Sequence, residues 1–377
     1  MEKEPIMKKV AIVLNSSWQA YNFRLNLARE MKKLDYSVIF IAPYDEKYSE
    51  LLKKEFEFFH IEMDPKGINP IGDFKTMQSI YQLYKEIKPD VVLNFTIKPN
   101  IYSSLVAKLL GIKSINNITG LGTVFIKKSF VTAIVKLLYK VALNCSTKVF
   151  FQNNDDKNLF IENKLVDENK CSLIPGSGVD TEKFKPMPAE NKGNTILRFL
   201  VVARILKDKG IYEYIEAIKI LKQKYNNLEF QILGEIGVPN KTAIMKEEVD
   251  TWIDEGLINY LGTTDKVEKI LKDVDCVILP SYREGTPRSL LEAASMEKPI
   301  ITTNVVGCKE VIDDGISGYL CEVKNSEDLA KKIDMMINLP LEKRLEMGKE
   351  GRKKILKEFS ESIVINKYLD LIKEILR

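Results

Sequence analysis

Short apolar segments alternate along this chain with longer segments in which apolar residues recur every three or four positions. The short segments have the length of buried strands, and the longer ones have the spacing of amphipathic helices. In the first half, strands are predicted at Val10–Leu14, Val38–Ala42, Phe58–Glu62, Val91–Leu93, Lys113–Ile118, Lys148–Phe151 and Ser172–Ile174. Helices are predicted at Phe23–Leu34, Ile71–Ile87, Tyr102–Leu110 and Phe130–Leu143, with a polar loop at Asn15–Tyr21. This alternation predicts a doubly wound parallel sheet.

The alternation stops between Gly176 and Asn194, where glycine, proline, lysine and asparagine dominate. A second set of strands is then predicted at Leu197–Ala203, Glu229–Leu233, Ile258–Leu261 and Asp275–Leu279, with helices at Tyr212–Tyr225, Thr242–Glu255 and Val267–Lys272. Because 377 residues exceed what one core usually supports, we predict two α/β domains, at 1–178 and 196–358, joined by a linker at 179–195. The chain from Leu329 to Arg377 has helical spacing throughout.

One stretch, Leu279–Thr303, concentrates the chemistry. Pro280 ends an apolar strand, Glu284–Pro287 is a predicted turn, and a helix begins at Arg288. The free N–H groups of a helix start favour an anion. Carboxylates accept hydrogen bonds from hydroxyls. Since Glu284 lies before the helix and Glu292 within it, this arrangement suits a nucleotide-sugar, although two glutamates alone are more typical of a solvated helix surface.

The sequence PSYREGTPRSLLEA, with its two glutamates eight positions apart, resembles the signature of the family 4 retaining glycosyltransferases, which have the GT-B fold. The resemblance covers nearly the whole chain and is strongest over Phe199–Val323. It implies two Rossmann-like domains facing a cleft, the first binding an acceptor and the second a nucleotide-sugar. It also implies that the C-terminal helix, at 359–377, crosses back to the first domain.

The same resemblance assigns roles to the residues of the stretch. Glu284, with Gly285 and Thr286, would orient the donor sugar, and Glu292 would bind the ribose. The helix start at Arg288 and Ser289 would bind phosphate through its amides.

Two cations follow the first strand of the second domain. Arg204 and Lys209 are placed at a strand end and a helix start, where a planar guanidinium and a point-charge ammonium can clamp a diphosphate. Ordinary basic residues of a surface loop are the alternative. The resemblance implies that this pair, together with Glu284, is catalytic and stabilises the leaving nucleoside diphosphate without a metal. It also places Gly234 at the base pocket.

No metal and no cofactor are predicted, and the donor is a UDP-sugar substrate. Asp273 and Asp275 have the spacing of a metal-binding Asp-x-Asp motif, but Asp275 opens a buried strand. The five cysteines are scattered and none has zinc-ligand spacing. The net charge of +4, from 57 basic and 53 acidic residues, is too small to indicate a nucleic-acid partner.

The acceptor side is less well defined. The segment Asn15–Arg24 is similar to that of bacterial enzymes acting on lipid-linked sugars, so Arg24 is a candidate for an acceptor phosphate, with an ordinary helix-surface arginine as the alternative. Lys98 lies near the position where many relatives have a histidine. Gly120 and Gly122 follow a strand and suit a loop that a ligand approaches closely.

A membrane-surface contact is predicted at Ile126–Leu143, an apolar segment in which Lys128, Lys136 and Lys140 share one helix face. The apolar loop Lys66–Ile71 favours the same interpretation, and an ordinary packed helix with a lysine edge is the alternative. No apolar run reaches about 18 residues, and no signal peptide is recognised. We therefore expect a cytoplasmic protein, peripheral on the inner face of the membrane.

These features predict transfer of a hexose or N-acetylhexosamine, with N-acetylgalactosamine favoured, from a UDP-sugar to a saccharide on undecaprenyl diphosphate, with retention. The expected context is surface polysaccharide or glycan biosynthesis. A nucleotide-sugar 2-epimerase on the same fold is one alternative, although it would use a histidine in the cleft and the chain has only His60, on a predicted strand. A non-catalytic sugar-nucleotide-binding partner is the other.

Overall fold

The computed structural model describes residues 7–64, 69–120, 130–188 and 196–377. The chain divides into two compact units. The first unit extends to Ile174 and includes Val364–Arg377, and the second unit is Pro175–Ile363. Within the described residues each unit contains one sheet, and every strand pair in both sheets is parallel. The prediction of two doubly wound α/β domains is therefore confirmed.

The first unit has a seven-stranded sheet in the order β3-β2-β1-β4-β5-β6-β7. Its strands are β1 Lys9–Val13, β2 Ser37–Ala42, β3 Glu57–His60, β4 Val91–Phe95, β5 Lys113–Ile118, β6 Lys148–Phe151 and β7 Cys171–Leu173. Its helices are α1 Ser17–Lys33, α2 Tyr48–Lys53, α3 Pro70–Ile87, α4 Ser104–Leu109, α5 Phe130–Cys145 and α6 Asn154–Glu162, with a π-helical turn at Pro99–Ser103 and a 3-10 turn at Glu168–Lys170. The strand order reverses between β1 and β4, which is where ligands bind in sheets of this kind.

The second unit has a six-stranded sheet in the order β10-β9-β8-β11-β12-β13. Its strands are β8 Leu197–Val202, β9 Leu228–Leu233, β10 Asn259–Tyr260, β11 Cys276–Leu279, β12 Ile300–Thr303 and β13 Gly318–Cys321. The helices of this unit are α7 Ile211–Lys222, α8 Lys246–Asp254, α9 Val267–Leu271, α10 Arg288–Ser295, α11 Ser326–Asn338 and α12 Leu341–Glu358, with a 3-10 turn at Lys207–Lys209. The last helix, α13 Glu361–Ile375, belongs to the first unit from Val364 onward. Here the reversal lies between β8 and β11.

The first helix begins six residues earlier than the sequence pattern predicts. The expected polar loop Asn15–Tyr21 is wrong from Ser17 onward, because α1 starts there. The Ala20 amide donates to the Ser16 carbonyl over 3.1 Å, which closes the first turn. Ser17 and Ala20 are buried while Trp18 is exposed, so the polar residues of this segment occupy the outer face of a helix.

The last helix contributes to the core of the first unit. Val364, Ile365, Tyr368 and Ile372 of α13 are buried in the cluster that also contains Phe95 and Phe150. The Tyr368 ring lies 4.9 Å from the Phe150 ring and 5.9 Å from the Phe95 ring. These contacts join the C-terminal segment to one face of the first sheet.

The described part of the predicted linker packs within the second unit. The Val179 amide donates to the Phe359 carbonyl over 3.0 Å, and the Ser295 hydroxyl donates to the Phe184 carbonyl over 2.6 Å. Phe184 is buried in the same core as Leu290 and Leu291 of α10. Positions 189–195 of the predicted linker lie outside the described residues.

Candidate active site

In the second unit, the loops after β8 and β11 meet at the reversal of the sheet. The 3-10 turn Lys207–Lys209 ends at Gly210, whose φ of +72° favours glycine. A Cβ atom at Gly210 would lie 2.0 Å from the Pro280 carbonyl oxygen, so any side chain would separate the two loops. The Tyr282 amide donates to the Asp208 carbonyl over 2.9 Å and joins the loops directly.

Glu284 is held at this junction by two donors. Its Oε1 atom accepts hydrogen bonds from the Lys209 ammonium and from the Ser281 hydroxyl, the latter over 2.7 Å. The Lys209 and Glu284 side chains are only 18% and 14% exposed, and Ser281 is fully buried. The structure therefore brings together two of the three predicted catalytic residues, 75 positions apart, as an ion pair. Sequence reasoning missed Ser281, although its position directly after a strand and a proline was a usable signal.

A second glycine fixes the backbone of Glu284. The Glu284 amide donates to the Val306 carbonyl over 3.1 Å. Gly307 has a φ of +88°, and a Cβ atom there would lie 2.4 Å from the Glu284 carbonyl oxygen and 2.5 Å from that of Gly285. No local sequence pattern indicated Gly307, because the contact is made by a distant loop.

The start of α10 carries the second glutamate. Arg288 is the first residue of the helix and no side chain caps it. The Arg288 Nε atom donates to Glu292 Oε1 over 2.8 Å, so these two predicted ligand-binding residues are paired one helical turn apart. Burial raises the pKa of Glu292 above its usual value, and the Arg288 guanidinium opposes that rise. Ser289 is half-buried beside them.

Thr286 and Gly234 each lie where a glycine backbone packs closely against a neighbouring residue. A Cβ atom at Gly176 would come within 2.7 Å of the Thr286 Cβ atom, and one at Gly234 within 1.8 Å of the Ala203 carbonyl oxygen. The Tyr260 hydroxyl donates to the Gly234 carbonyl over 2.8 Å. Arg204, in contrast, has an exposed side chain. The base-pocket role of Gly234 and the diphosphate role of Arg204 stay predictions.

The Asp-x-Asp segment has a structural function in this fold. The Asp275 carboxylate accepts a hydrogen bond from the Arg198 amide over 2.8 Å, which ties the entry of β11 to β8. Within residues 7–64, 69–120, 130–188 and 196–377, no three metal-binding side chains come close enough to hold an ion. Metal independence stays a prediction.

In the first unit, Arg24 is only 3% exposed. Its guanidinium carbon lies 4.0 Å from the centre of the Phe95 ring, a cation–π contact. Gly120 has a φ of +136°, which favours glycine. Gly122 lies outside the described residues. The acceptor roles of these residues stay predictions.

Lys98 is buried in a different contact. Its ammonium lies 2.6 Å from the Asp73 carboxylate, and both side chains are 10% exposed. Tyr102 also bonds to Asp73, and burial together with this bond raises the pKa of the tyrosine. The acceptor role of Lys98 likewise stays a prediction.

The predicted membrane segment is described only from residue 130 onward, so Lys128 and the start of the segment lie outside the described residues, as do 65–68 of the apolar loop. On α5, Leu137 is 62% and Val141 is 48% exposed. The Lys136 ammonium donates to Asn163 over 3.2 Å, and Lys140 is exposed. Across the described residues, every helix is too short or too polar to cross a bilayer.

Two protein-family models match this chain. The family model for glycosyl transferases group 1 matches residues 181–354, and that for glycosyl transferase 4-like domains matches residues 9–153. The two matches cover the second sheet with its α10 motif and most of the first sheet.

Two curated relatives match over most of their length. The chain is 26% identical to an N,N'-diacetylbacillosaminyl-diphospho-undecaprenol alpha-1,3-N-acetylgalactosaminyltransferase of Campylobacter jejuni, over 98% of this chain and 99% of that protein. It is 30% identical to a UDP-Gal:alpha-D-GlcNAc-diphosphoundecaprenol alpha-1,3-galactosyltransferase of Escherichia coli, over 82% of this chain and 81% of that protein.

A crystal structure of a glycosyltransferase from Rickettsia africae has the same fold. It superposes with a TM-score of 0.81 at 23% identity, covering 99% of this chain and 100% of the other. The likeness confirms the predicted GT-B class.

Proposed function

Because this chain belongs to family 4 of the glycosyltransferases, we propose that it transfers a hexose or N-acetylhexosamine from a UDP-sugar to a saccharide on undecaprenyl diphosphate. The activities for which the Campylobacter and Escherichia relatives are named, both on diphosphoundecaprenol acceptors, support this acceptor class. N-acetylgalactosamine is the favoured donor sugar, since the relative that matches almost the whole chain transfers it. The reaction belongs to surface polysaccharide or glycan biosynthesis.

The Lys209–Glu284 pair at the reversal of the second sheet is the observation that carries this proposal. In the proposed complex, Lys209 and Arg204 bind the donor diphosphate and stabilise the charge that develops on it as the sugar leaves. Ser281, which bonds to the same carboxylate oxygen, keeps Glu284 in place while Lys209 turns to phosphate. Glu284 then accepts a hydrogen bond from a hydroxyl of the donor sugar, with Gly285 and Thr286 alongside.

The proposed transfer retains the configuration of the sugar. The bond between C1 and the β-phosphate oxygen breaks, and the acceptor hydroxyl oxygen forms its bond to C1 on the same face. The proton of that hydroxyl passes to the departing phosphate oxygen, so UDP leaves as the base and no protein base is needed. The reaction balances without a metal ion or a redox partner.

The start of α10 completes the donor site in this proposal. The amides of Arg288 and Ser289 bind phosphate at the positive end of the helix dipole. Glu292 accepts hydrogen bonds from the ribose hydroxyls, and the guanidinium of Arg288 helps to keep its carboxylate charged despite burial. The backbone at Gly234 lines the base pocket.

On the acceptor side, Arg24, Lys98, Gly120 and Gly122 are proposed to contact the acceptor. The enzyme works on the inner face of the cell membrane, where the exposed Leu137 and Val141 of α5 contact lipid and Lys140 contacts anionic headgroups. A lipid-linked acceptor supports this location, because its polyprenyl chain stays in the bilayer.

The test is nucleoside diphosphate release from a panel of UDP-, GDP- and ADP-sugars, each with and without EDTA and with and without a polyprenyl-diphosphate saccharide. Release from one UDP-sugar, raised by the lipid acceptor and insensitive to EDTA, is expected. Interconversion of the sugar without release would indicate a 2-epimerase instead. Loss of release with EDTA would contradict metal independence.

A further inference from the structure

Three side-chain oxygens near the carboxyl ends of β1, β4 and β5 are buried without a hydrogen-bond partner among the described residues. They are Asn15 Oδ1, Thr96 Oγ1 and Asn117 Oδ1. A buried acceptor that receives no hydrogen bond destabilises the folded protein. Such atoms are rare in folded proteins and call for a specific explanation.

The topology places two of them just after neighbouring strands. Val13 of β1 pairs with Asn94 of β4, and Asn15 and Thr96 each follow two residues later in the chain, after their strands end. These two residues therefore flank the reversal of the first sheet, where open α/β sheets bind their ligands. Both are half-buried, so each remains accessible at its edge although its oxygen is covered.

Thr96 also has an unusual backbone conformation. Its φ is +69°, in the left-handed region that a β-branched residue rarely adopts. Strain of this kind persists where the surroundings enforce it, and it clusters at ligand sites. The Thr96 carbonyl accepts a hydrogen bond from the Asn100 amide over 3.1 Å, which anchors the strained turn.

The guanidinium of Arg24 and the side chain of Asn117 lie on the same face of the first sheet. Phe95 and Asn117 are register partners on β4 and β5, so their side chains project to the same face. The Arg24 guanidinium lies over the Phe95 ring, and Asn117 donates through Nδ2 to the Tyr368 hydroxyl over 2.9 Å. Asn117 thus uses its donor on α13 and keeps an oxygen that can only accept.

We infer that Asn15 and Thr96, beside Arg24, form a subsite that accepts hydrogen bonds from the hydroxyls of the acceptor sugar next to its phosphate. An amide oxygen and a threonine hydroxyl suit ligand hydroxyls, and the guanidinium suits an adjacent phosphate. The ligand class is a glycosyl phosphate, free or lipid-linked. This inference rests on the proposed function, because it names the part of the acceptor that the first unit binds.

The test compares Thr96→Gly, Thr96→Ser and Asn15→Ala with the full-length enzyme. Glycine at position 96 removes the oxygen and relieves the strained φ, so this variant is expected to fold at least as stably as the parent. Serine keeps the oxygen and is expected to bind as the parent does. Thr251→Val is the matched control, since the Thr251 hydroxyl donates within its own helix, to the Glu247 carbonyl.

Two probes distinguish binding of a lipid-linked glycosyl phosphate from binding of a free one. The KM for N-acetylglucosaminyl-diphosphoundecaprenol and the Kd for N-acetylglucosamine 1-phosphate, measured by calorimetry, are both expected to rise about tenfold in Thr96→Gly and in Asn15→Ala. The donor KM, which a general structural loss would also move, is expected to stay at the parent value. Melting temperatures are recorded for every variant.

An unchanged acceptor KM in both variants would overturn the subsite, as would an equal loss in Thr96→Ser. A loss restricted to the lipid-linked probe would also overturn it, because the contact would then be to lipid and not to sugar hydroxyls. If the parent enzyme transferred no sugar yet the variants lost N-acetylglucosamine 1-phosphate binding, the proposed function would fail and the subsite would stand.

Discussion

Each unit of this protein contains a lysine–carboxylate pair that is largely shielded from water. In the second unit Lys209 pairs with Glu284, and in the first unit Lys98 pairs with Asp73. Both carboxylates also bond to a hydroxyl, from Ser281 in one case and from Tyr102 in the other. Residue types and burial are therefore nearly the same in the two pairs.

Their places in the fold differ. Lys209 and Glu284 both lie on loops at the carboxyl ends of neighbouring strands, at a sheet reversal. Asp73 lies in the first turn of α3, and Lys98 directly precedes the π-helical turn, so that pair ties a helix to a loop. The two pairs thus share their residue chemistry, and they differ in that both members of the proposed catalytic pair lie on loops at strand ends.

The largest expected effect concerns chemistry in the second unit. Glu284→Gln and Lys209→Met are expected to lower kcat by about 10²–10³-fold, because each removes a charge from the transferring group. Initial rates of UDP release with saturating donor and acceptor measure this loss. Lys219→Met, which breaks the exposed Lys219–Glu216 pair, is the matched control and is expected to keep its kcat.

A small change in kcat with a large fall in melting temperature would contradict this prediction. It would mean that Lys209 and Glu284 stabilise the fold, as we expect of Lys98 and Asp73 in the first unit.

The next largest effect concerns stability in the first unit. Lys98→Met leaves the Asp73 carboxylate buried without its cation and is expected to lower the free energy of unfolding by about 3–5 kcal/mol. The double variant Lys98→Met/Asp73→Leu is expected to recover most of that loss, since the uncompensated charge is gone. Urea unfolding followed by circular dichroism measures both.

Kinetics of the double variant then test the acceptor role of Lys98 directly. A raised acceptor KM in a stable double variant would support a contact between Lys98 and the acceptor. Failure of the double variant to recover stability would contradict the view that Lys98 balances Asp73.

The fold was predictable because its signal is local and repeated. Buried parallel strands are continuous apolar runs, and the predicted runs lie within one or two residues of β1, β8 and β11. The start of α1 was missed because Ser17, buried and donating to the Pro43 carbonyl over 2.6 Å, has no helical signal in sequence. Tertiary contacts of that kind routinely override local helix propensity.

The candidate site was predictable where its residues share one motif. Glu284, Arg288 and Glu292 lie within a single strand–loop–helix segment, so their proximity follows from the chain itself. Gly307 and Thr96 were not predictable, because one acts through a distant loop and the other through its φ. Sequence shows neither a close backbone approach nor a left-handed conformation at a non-glycine residue.

Substitution of Gly307 tests whether the position of the Glu284 backbone matters for catalysis. Gly307→Ala is expected to lower kcat by about 10²-fold, because the new Cβ atom displaces the backbone of Glu284 and a shift of about 1 Å is enough for such a loss. Gly315→Ala is the control: its φ of +76° imposes the same strain, but no atom lies within 4 Å of the added Cβ. Equal kcat values in the two variants would show that backbone strain alone explains the effect.

The smallest expected effect concerns donor binding at Glu292. Glu292→Ala is expected to raise the donor KM about tenfold with a smaller change in kcat, because a ribose contact is similar in the ground state and in the transition state. Equal losses in both constants would exclude a ribose-binding role. The exposed Glu327→Ala of α11 is the control.

The pH dependence of UDP binding also tests whether Glu292 binds the ribose. Burial raises the pKa of Glu292 above 4.5, so the carboxyl takes up its proton earlier than an exposed glutamate as the pH falls. The folded state therefore binds this proton more tightly than the unfolded chain does. As a result, the ionised carboxylate lowers the free energy of unfolding when the pH is above the pKa of Glu292 in the folded state. This loss is absent when the pH is below the pKa of Glu292 in the unfolded chain. Because a carboxylate accepts ribose hydrogen bonds better than an acid does, the Kd for UDP is expected to rise as the pH falls through the folded pKa. In Glu292→Gln that dependence is expected to disappear, and calorimetric titration of both proteins across the acidic range measures the difference.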